Sequence, residues 1–550
     1  MMKRLLAKSI DSVTAAAFLV GASSLVSRLL GVVRDRILAS SFGAGDTLDI
    51  YYAAFRIPDL IFNLLVLGAL SAGFIPAFTN LIAASAKGSG EPKKDDSDND
   101  YSAAWKLTNN ILNLLGATML ALMVFGIIFA PWIMKFVTPG FSGEKLASTV
   151  ALTRIMFLSP LLLGLSSVLG GVLQSMKRFL VYSLSPIFYN LGIIFGAYFL
   201  VPRWGVWGLA WGVVLGSLLH AVVQIPTMRH LGWRYQFIFD WRDKGVRLIL
   251  RMMTARTLAL AINQINLVVV TIMASMLASG SLTIFNLANN LQSFAVGIFG
   301  ISFAIAVFPA LSTTAFDKEK LVKRLASTTR QILFFIIPST VVILLLKAEI
   351  VRVILGSGRF DWEATVLTMN SLPFFAISFF AQALIPLFTR VFYARHDSKT
   401  PFYIGLASAV VNIGLSWWLG RTWGVVGLAL AFSLSSILNF ILLFVALKIE
   451  LGALREKEII IWTLKFSLAA LVAGMAMQFS KNFLGTVVDM SRFWGVLLKA
   501  GGAGTVGLLV YGVICHYFGS PEMARLKQYI KDRFPRSSAN TEGQGEARGI

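Results

Sequence analysis

Among 550 residues there is one cysteine, Cys515, and only four histidines. A single thiol excludes an internal disulfide and any cysteine-built metal site. His220, His230, His396 and His516 are scattered without ligand spacing, which sets a metal site aside as well. Charge is also scarce, at 14% of residues against 56% hydrophobic. A soluble chain of this length is not built that way, so the composition implies a polytopic membrane protein. No P-loop, HExxH, dinucleotide fingerprint or Ser/His/Asp order occurs, and no active site or cofactor is expected. The apolar segments contain Asp35, Asp49 and Asp59, but the sequence offers no histidine or lysine partner in a defined arrangement for proton chemistry. The net charge of +22 does not point to nucleic acid, because the cations sit mostly in short loops between apolar runs.

Fourteen apolar segments are long enough to span a bilayer: 12–41, 47–84, 103–130, 146–175, 180–201, 205–228, 246–278, 281–314, 326–347, 362–392, 399–419, 423–447, 458–480 and 493–518. The N-terminal MMKRLLAKSI and its apolar run resemble a signal peptide, but without a small-residue cleavage signal they are read as the retained first helix. Basic clusters fall in alternate loops, at Lys3/Arg4/Lys8, Lys87/Lys93/Lys94, Lys177/Arg178, Arg229 to Arg251, Lys318 to Arg324, Arg395/Lys399, Arg455/Lys457 and the tail. The turns at 42–48 and 279–282 carry none. Both termini are therefore expected in the cytoplasm. The insert 86–101 reads as a solvated loop and 520–534 as a basic amphipathic helix along the membrane surface. The last residues are expected to be disordered.

The first two segments carry charge where a membrane helix has none. At helical spacing Gly21, Ser24, Arg28, Gly31 and Asp35 share one face, and Arg34 lies beside it. Asp49, Tyr52, Arg56, Asp59 and Asn63 repeat that spacing after the Gly43-Ala44-Gly45 turn. At about 1.5 Å per residue Arg28 lies roughly 20 Å from the turn, near mid-bilayer. Each lipid-facing arginine would cost about 2.5–3.5 kcal/mol on insertion scales, so these face a wet cavity or buried partners. Two readings follow. Folding the hairpin brings Arg28 level with Asp59 as a structural ion pair, or the stripe forms an intramembrane site for an anion.

An internal repeat organises the rest. RWGVWGLAWGVVLGSLL from Arg203 reappears as TWGVVGLALAFSLSSIL from Thr422, and GFIPAFT from Gly73 as AVFPALS from Ala306. Segments 1–6 and 7–12 thus form two copies of a six-helix unit, with segments 13 and 14 added. The expected divisions are a first lobe at 1–230, a second at 231–450, two further helices at 451–519 and a basic cytoplasmic tail at 520–550. The second lobe offers a neutral stripe: Thr283, Asn286, Asn290, Ser293 and Gly297, with Arg256, Asn263 and Asn266 on the preceding segment. Buried amides also serve as glue between helices, and Asn263 and Asn266 suit either role.

SRLLGVVRDRILASSFGAGDTLDIYYAAFRIP, GALSAGFIPAF and QINLVVVTIMASMLASGS, in a fourteen-helix layout, resemble the MurJ (MviN) family of the multidrug/oligosaccharidyl-lipid/polysaccharide exporter superfamily. The resemblance runs from about Ala22 to His516. It implies an all-α fold of two lobes around a cavity lined by segments 1, 2, 7 and 8, and a groove for a polyprenyl tail at segments 13 and 14. It implies that Arg28 and Arg34 hold a pyrophosphate and that Asp49 matches a family aspartate. The family often has arginine where this chain has Phe62 and Asn290, and an acid where it has Ser293. Arg56 and Arg256 are the cations nearest to replacing those arginines.

The function this implies is flipping of lipid II, an undecaprenyl-pyrophosphate-linked disaccharide peptide, across the bacterial cytoplasmic membrane for cell-wall synthesis. Guanidinium forks suit phosphate oxygens. Rival readings are a flippase for another polyprenyl-linked oligosaccharide, a cation-coupled drug exporter of the same superfamily, and a transport-inactive scaffold for cell-wall enzymes. Lipid II, membrane lipids and cell-wall synthesis proteins are the partners considered. The energy source is left open between the membrane potential and a monovalent cation.

Overall fold

The computed structural model describes residues 13–67, 73–88, 101–490 and 492–533. Within these the chain is helical. The helices are α1 (Val13–Phe42), α2 (Asp46–Phe62), α3 (Ile75–Gly88), α4 (Ser102–Val137), α5 (Gly143–Met156), α6 (Leu158–Ser175), α7 (Phe179–Phe195), α8 (Trp207–Val222) and α9 (Ile225–His230). The second half comprises α10 (Lys244–Ser275), α11 (Ser281–Ala295), α12 (Ser302–Thr313), α13 (Lys318–Ile354), α14 (Trp362–Ala376), α15 (Phe379–Ala394), α16 (Lys399–Leu451), α17 (Glu456–Val487), α18 (Phe493–Tyr517) and α19 (Pro521–Arg533). Expectations for residues 1–12, for the insert past Gly88 and for the tail past Arg533 lie outside the described residues.

Among the described residues nine helices, or ten with α14 and α15 counted as one bent span, are long and apolar enough to cross a membrane. This is a multi-pass membrane protein. Helices α1 and α2 fall outside that count, and they carry the charged stripes. Four segments depart from separate straight spans. Segment four breaks at Phe157 into α5 and α6, and segment ten bends by 49° between α14 and α15. Segments eleven and twelve are two helices that meet directly at a kink at Gly424 with φ 61°, and the α16 range covers both. No side chain opposes that positive φ, so glycine there lets two apolar runs meet without a loop.

One local feature recurs at equivalent places in the two halves. Helix α2 passes into a π-helical turn at Asn63–Leu67, and α11 passes into one at Val296–Ile301. The two turns are offset along the chain by the same distance as GFIPAFT and AVFPALS. A π turn inserts one extra residue per turn and bends the helix axis, so each lobe has a bent second helix facing its counterpart.

Packing differs between the halves. The main core of the second half runs from Phe285, Phe375 and Phe388 out to Phe466 and Tyr511 of the added helices α17 and α18. It takes in Ala39 and Ala53 of the first half, and a small separate cluster lies at Leu346, Met477 and Ala503. The Tyr511 hydroxyl donates to the Phe334 carbonyl at 2.8 Å and pins α18 to α13. The first half has two separate cores. One surrounds Phe74, Phe78, Leu107 and Val172, and the other Leu38, Leu48, Tyr51, Met156 and Val213. Helix α19 is anchored to the rest of the fold at its first turn. Buried Glu522 meets Arg330 of α13 at 3.3 Å, and Arg330 also holds Glu458 of α17 at 2.5 Å.

Candidate functional site between the lobes

Helices α1 and α2 of the first half meet α10 and α11 of the second along the stripes, and the polar side chains meet there. Arg28 reaches across from α1, and its guanidinium lies against Gly297 in the second π turn. It is exposed, and among the described residues it makes no ion pair or hydrogen bond. No ion pair joins it to Asp59, so the hairpin pairing is not made in this state.

Arg34 is held within the first half. Its Nε and Nη2 donate to Asp35 Oδ1 at 3.0 and 2.8 Å, and Nη1 to Asn190 Oδ1 of α7 at 3.2 Å. The other oxygen of buried Asp35 accepts from Asn290 Nδ2 of α11 at 2.9 Å. Arg34, Asp35 and Asn290 therefore form a bridge between the halves. Arg56, also buried, makes a second bridge. Its Nε donates to Thr271 Oγ1 at 2.8 Å and its Nη2 to Asn286 Oδ1 at 3.1 Å. Both partners are neutral and both belong to the second half.

The end carrying the Gly43–Gly45 turn is closed. Asp49, 2% exposed, accepts from the Gly280 and Thr283 amides at 2.8 and 2.9 Å and from the Thr283 hydroxyl at 2.8 Å. These amides are the unpaired donors at the start of α11, where the helix dipole favours an anion. Lys145 of α5 contacts Asp49 at 3.2 Å and Asp46 at 2.6 Å, and Asp46 accepts from Ser279 Oγ at 2.6 Å. Backbones touch around this cluster. A Cβ on Gly280 (φ +85°) would lie 2.3 Å from the Ala44 carbonyl, and one on Gly358 (φ +64°) 2.2 Å from that of Ser40. Only glycine tolerates both the conformation and the approach. The Arg359 amide completes the seam by donating to Ser40 O at 2.8 Å.

Asp59 and Asn63 face elsewhere. Asn63 Nδ2 donates to the Asp59 carbonyl at 2.8 Å, steadying the helix where the π turn begins. The Asp59 side chain lines a cavity of about 210 Å³ inside the first half, with Ser159, Tyr189 and His220. Phe62 lines it too, and the walls come from both first-half cores. The histidine that the sequence did not set beside an acid is thus brought to Asp59's cavity by the fold. In the second half, Asn412 Nδ2 bonds Asn266 Oδ1, so Asn266 joins α10 to α16 as glue between helices. The side chains of Arg256 and Asn263 lie outside the described residues.

Beside the polar site runs an apolar groove of about 1140 Å³. It starts at Leu29, Val32 and Asn290, passes Phe299, Phe335 and Leu509, and ends at His516, Met523 and Lys527. Arg28 is not part of the lining; its guanidinium lies against Gly297, and Ala295 just before that π turn and Ile298 within it line the groove.

Sequence reasoning missed Lys145, Asn190 and Thr271. For Lys145 a signal existed: loop alternation puts the chain before α5 on the same side as the turns at 42–48 and 279–282. A cation there faces Asp46 and Asp49. Asn190 and Thr271 had no such signal, since isolated polar residues in apolar helices are common.

Two helical halves with a repeated sequence, bridged by hydrogen bonds along facing polar stripes, place the protein in the class of two-lobed membrane transporters. A solved structure described as "Lipid II flippase MurJ, inward closed conformation" matches the fold with a TM-score of 0.72, covering 91% of this chain and 98% of that one at 23% identity. An inward-facing multidrug resistance MATE family transporter of the MOP superfamily matches with a TM-score of 0.64, covering 78% and 96% at 15% identity. A "Probable lipid II flippase MurJ" of Rhizobium tropici is 27% identical over 94% of this chain and 96% of its own length. A protein of the same description from Buchnera aphidicola subsp. Acyrthosiphon pisum is 30% identical over 76% and 81%. The model of the family described as "Lipid II flippase MurJ" matches residues 38–498, and the chain belongs to that family.

Proposed function

We propose that this protein flips lipid II from the inner to the outer leaflet of the bacterial cytoplasmic membrane by alternating access. The observation that carries this reading is the Arg28 guanidinium, unpaired among the described residues, lying against Gly297 between Ala295 and Ile298, which line an apolar groove. A pyrophosphate-linked headgroup cannot cross hydrocarbon unaided, whereas its polyprenyl tail stays there at no cost. Arg28 supplies the bidentate fork for the pyrophosphate. The groove between α11, α13 and α18 supports the tail. Amides of α11 meet sugar or peptide.

Arg34 and Arg56 serve the cycle differently from Arg28. Arg56 holds the halves together directly through neutral Thr271 and Asn286, and Arg34 does so through Asp35, whose other oxygen takes neutral Asn290. With the basic loops in the cytoplasm, both termini are cytoplasmic and the Asp49 seam closes the exterior side. The moving bodies are taken as residues 1–230 and 231–450. No cofactor is invoked, and the driving force is the membrane potential or a monovalent cation.

The test is twofold. The chain should sustain growth of cells depleted of their lipid II flippase. Purified protein in proteoliposomes should expose fluorescent lipid II to an external reagent. Failure in both, with the protein inserted and monodisperse, would overturn the substrate.

A further inference from the structure

The segment joining the two halves, residues 231–243, runs between α9 and α10 with turns at 231–232 and 241–242 and an extended stretch at 234–240 between them. An extended chain points alternate carbonyls to the same side. Here those of Arg234, Gln236, Ile238 and Asp240 all point at α4, where three asparagines receive them. Asn109 Nδ2 donates to Arg234 O at 2.9 Å, Asn113 Nδ2 to Gln236 O and Ile238 O at 3.1 and 2.9 Å, and Asn110 Nδ2 to Asp240 O at 2.8 Å. Asn110 Oδ1 accepts the Asp240 amide at 2.8 Å, and Asn109 and Asn113 accept from Trp233 Nε1 and the Tyr235 hydroxyl. The segment is a strap fastened along a helix by amides.

What the strap presents outward is unusual. Tyr235, Phe237, Phe239 and Trp241, at every second position, are 60, 79, 53 and 62% exposed. Alternation places Tyr235, Phe237 and Phe239 on one face of the extended stretch, and Trp241 follows in the turn that ends it. Exposed aromatics in a row mark an interaction surface. Two observations identify its partner. The first is depth: from Leu114 to Met134 helix α4 has no charged residue, a stretch of roughly 30 Å at 1.5 Å per residue, which matches a bilayer core. Asn109 to Asn113 lie just before it, so the strap sits at the hydrocarbon–water boundary. The second is charge: residues 229–251 hold six arginines and lysines against two aspartates. Arg229, Arg234, Arg242, Lys244 and Arg247 are exposed, and none makes an ion pair among the described residues.

We propose that the strap is a binding site for anionic phospholipid, its aromatic row set into the headgroup layer of the facing leaflet and its arginines on lipid phosphates. Aromatic rings prefer that layer, and juxtamembrane cations are drawn to anionic lipid. The site fixes the covalent join between the halves at the membrane surface, so they pivot about a point held by lipid. The inference rests on the membrane reading of the fold and not on the cargo, and its test contains no lipid II.

The full-length protein carries a cysteine at Phe237→Cys or, as the opposite-face control, Gln236→Cys, with buried Cys515 changed to alanine. Each is labelled with an environment-sensitive dye and reconstituted in phosphatidylethanolamine vesicles with or without phosphatidylglycerol. The label at 237 should emit at shorter wavelength than the one at 236 and be quenched several-fold less by aqueous iodide. Phosphatidylglycerol should widen that difference. Arg234→Gln with Arg242→Gln and Arg247→Gln should abolish the phosphatidylglycerol effect while leaving the 237 label shielded. Equal quenching at 236 and 237 would overturn the proposal, as would equal behaviour with and without phosphatidylglycerol. Shielding that appears only at high protein density would assign the surface to a second copy and overturn it too. Should the labelled variants fail to fold, brominated-lipid quenching compared between the wild type and Trp241→Phe reads the same contact; loss of a bromine-quenched component is expected, and no loss overturns the proposal.

Discussion

The two halves share a helical plan but not a chemistry. Helices α1 and α2 bring Arg28, Arg34, Asp35, Asp49 and Arg56 to the boundary, whereas α10 and α11 answer with Thr271, Thr283, Asn286, Asn290 and the amide of Gly280. Charge stands on one side and neutral donors or acceptors on the other. A salt bridge buried across the boundary would lose about 3–5 kcal/mol whenever one partner left, because a naked charge would remain. A charged group bonded to a neutral one is worth about 1.5–3 kcal/mol and strands only a neutral partner on opening. The asymmetry suits an interface that must close and open. It also leaves both charges of the Arg34–Asp35 pair on the same half, so they travel together.

The largest effect that can break this comparison is at Arg28. If it is the cargo cation and the others are clamps, Arg28→Ala loses two charged hydrogen bonds of about 1.5–3 kcal/mol each. That corresponds to a hundredfold or greater drop in lipid II flipping at about 1.4 kcal/mol per tenfold. Protein abundance should stay normal, and Arg28→Lys should rescue only in part because it lacks the fork. Normal flipping by Arg28→Ala would remove the cation from the cargo site.

Arg34→Ala should act on folding rather than on flipping per molecule. It leaves Asp35 buried and unpaired at a cost of about 3–5 kcal/mol, seen as lost abundance and a lower melting temperature. Arg34→Ala with Asp35→Asn should recover most of the abundance. A stable but inactive Arg34→Ala single variant would instead make Arg34 a second cargo ligand.

Asp49→Asn keeps the shape of the seam and removes its charge. The exchange of charged for neutral bonds weakens closure by about 1–2 kcal/mol, roughly a 5- to 30-fold shift toward the state open at that end. The check is the yield of a cross-link between Gly45→Cys and Ser281→Cys, which sit on either side of the seam and should couple less in the variant. An unchanged yield would mean that backbone packing at Gly280 and Gly358 closes that end without help from Asp49.

Asn290→Ala should show the smallest effect. Asp35 keeps Arg34, so the loss is about 1 kcal/mol, or roughly fivefold in flipping. A collapse comparable to that of Arg28→Ala would show that the neutral half carries as much of the cargo as the charged one.

Much of this was legible in the sequence for definite reasons. The stripe Gly21, Ser24, Arg28, Gly31, Asp35 is visible because charges in an apolar helix cannot face lipid, and helical period then assigns them to one face. Membership of the neutral stripe by Thr283, Asn286 and Asn290 followed from the same period. The partners did not. Nothing in the spacing says that Arg34 turns to Asn190 on α7, that Asp49 spans to the start of α11, or that Asp59 turns away into the first half. Each depends on which helices become neighbours, and several residues on one helix face compete for the same partner.

The sequence by itself determined that the chain crosses a membrane many times, that its halves repeat, and that α1 and α2 carry the buried charge, because desolvation cost and periodicity act on residues close in the chain. Only the tertiary structure decided which arginine is left free. That choice turns on partners as distant as Asn190 and Thr271, brought within 3.2 Å by packing of helices far apart in sequence. It likewise decided that three asparagines on α4 would hold the linking strap flat with its aromatic row outward, since a hydrogen bond between helix and strap exists only once both are in place.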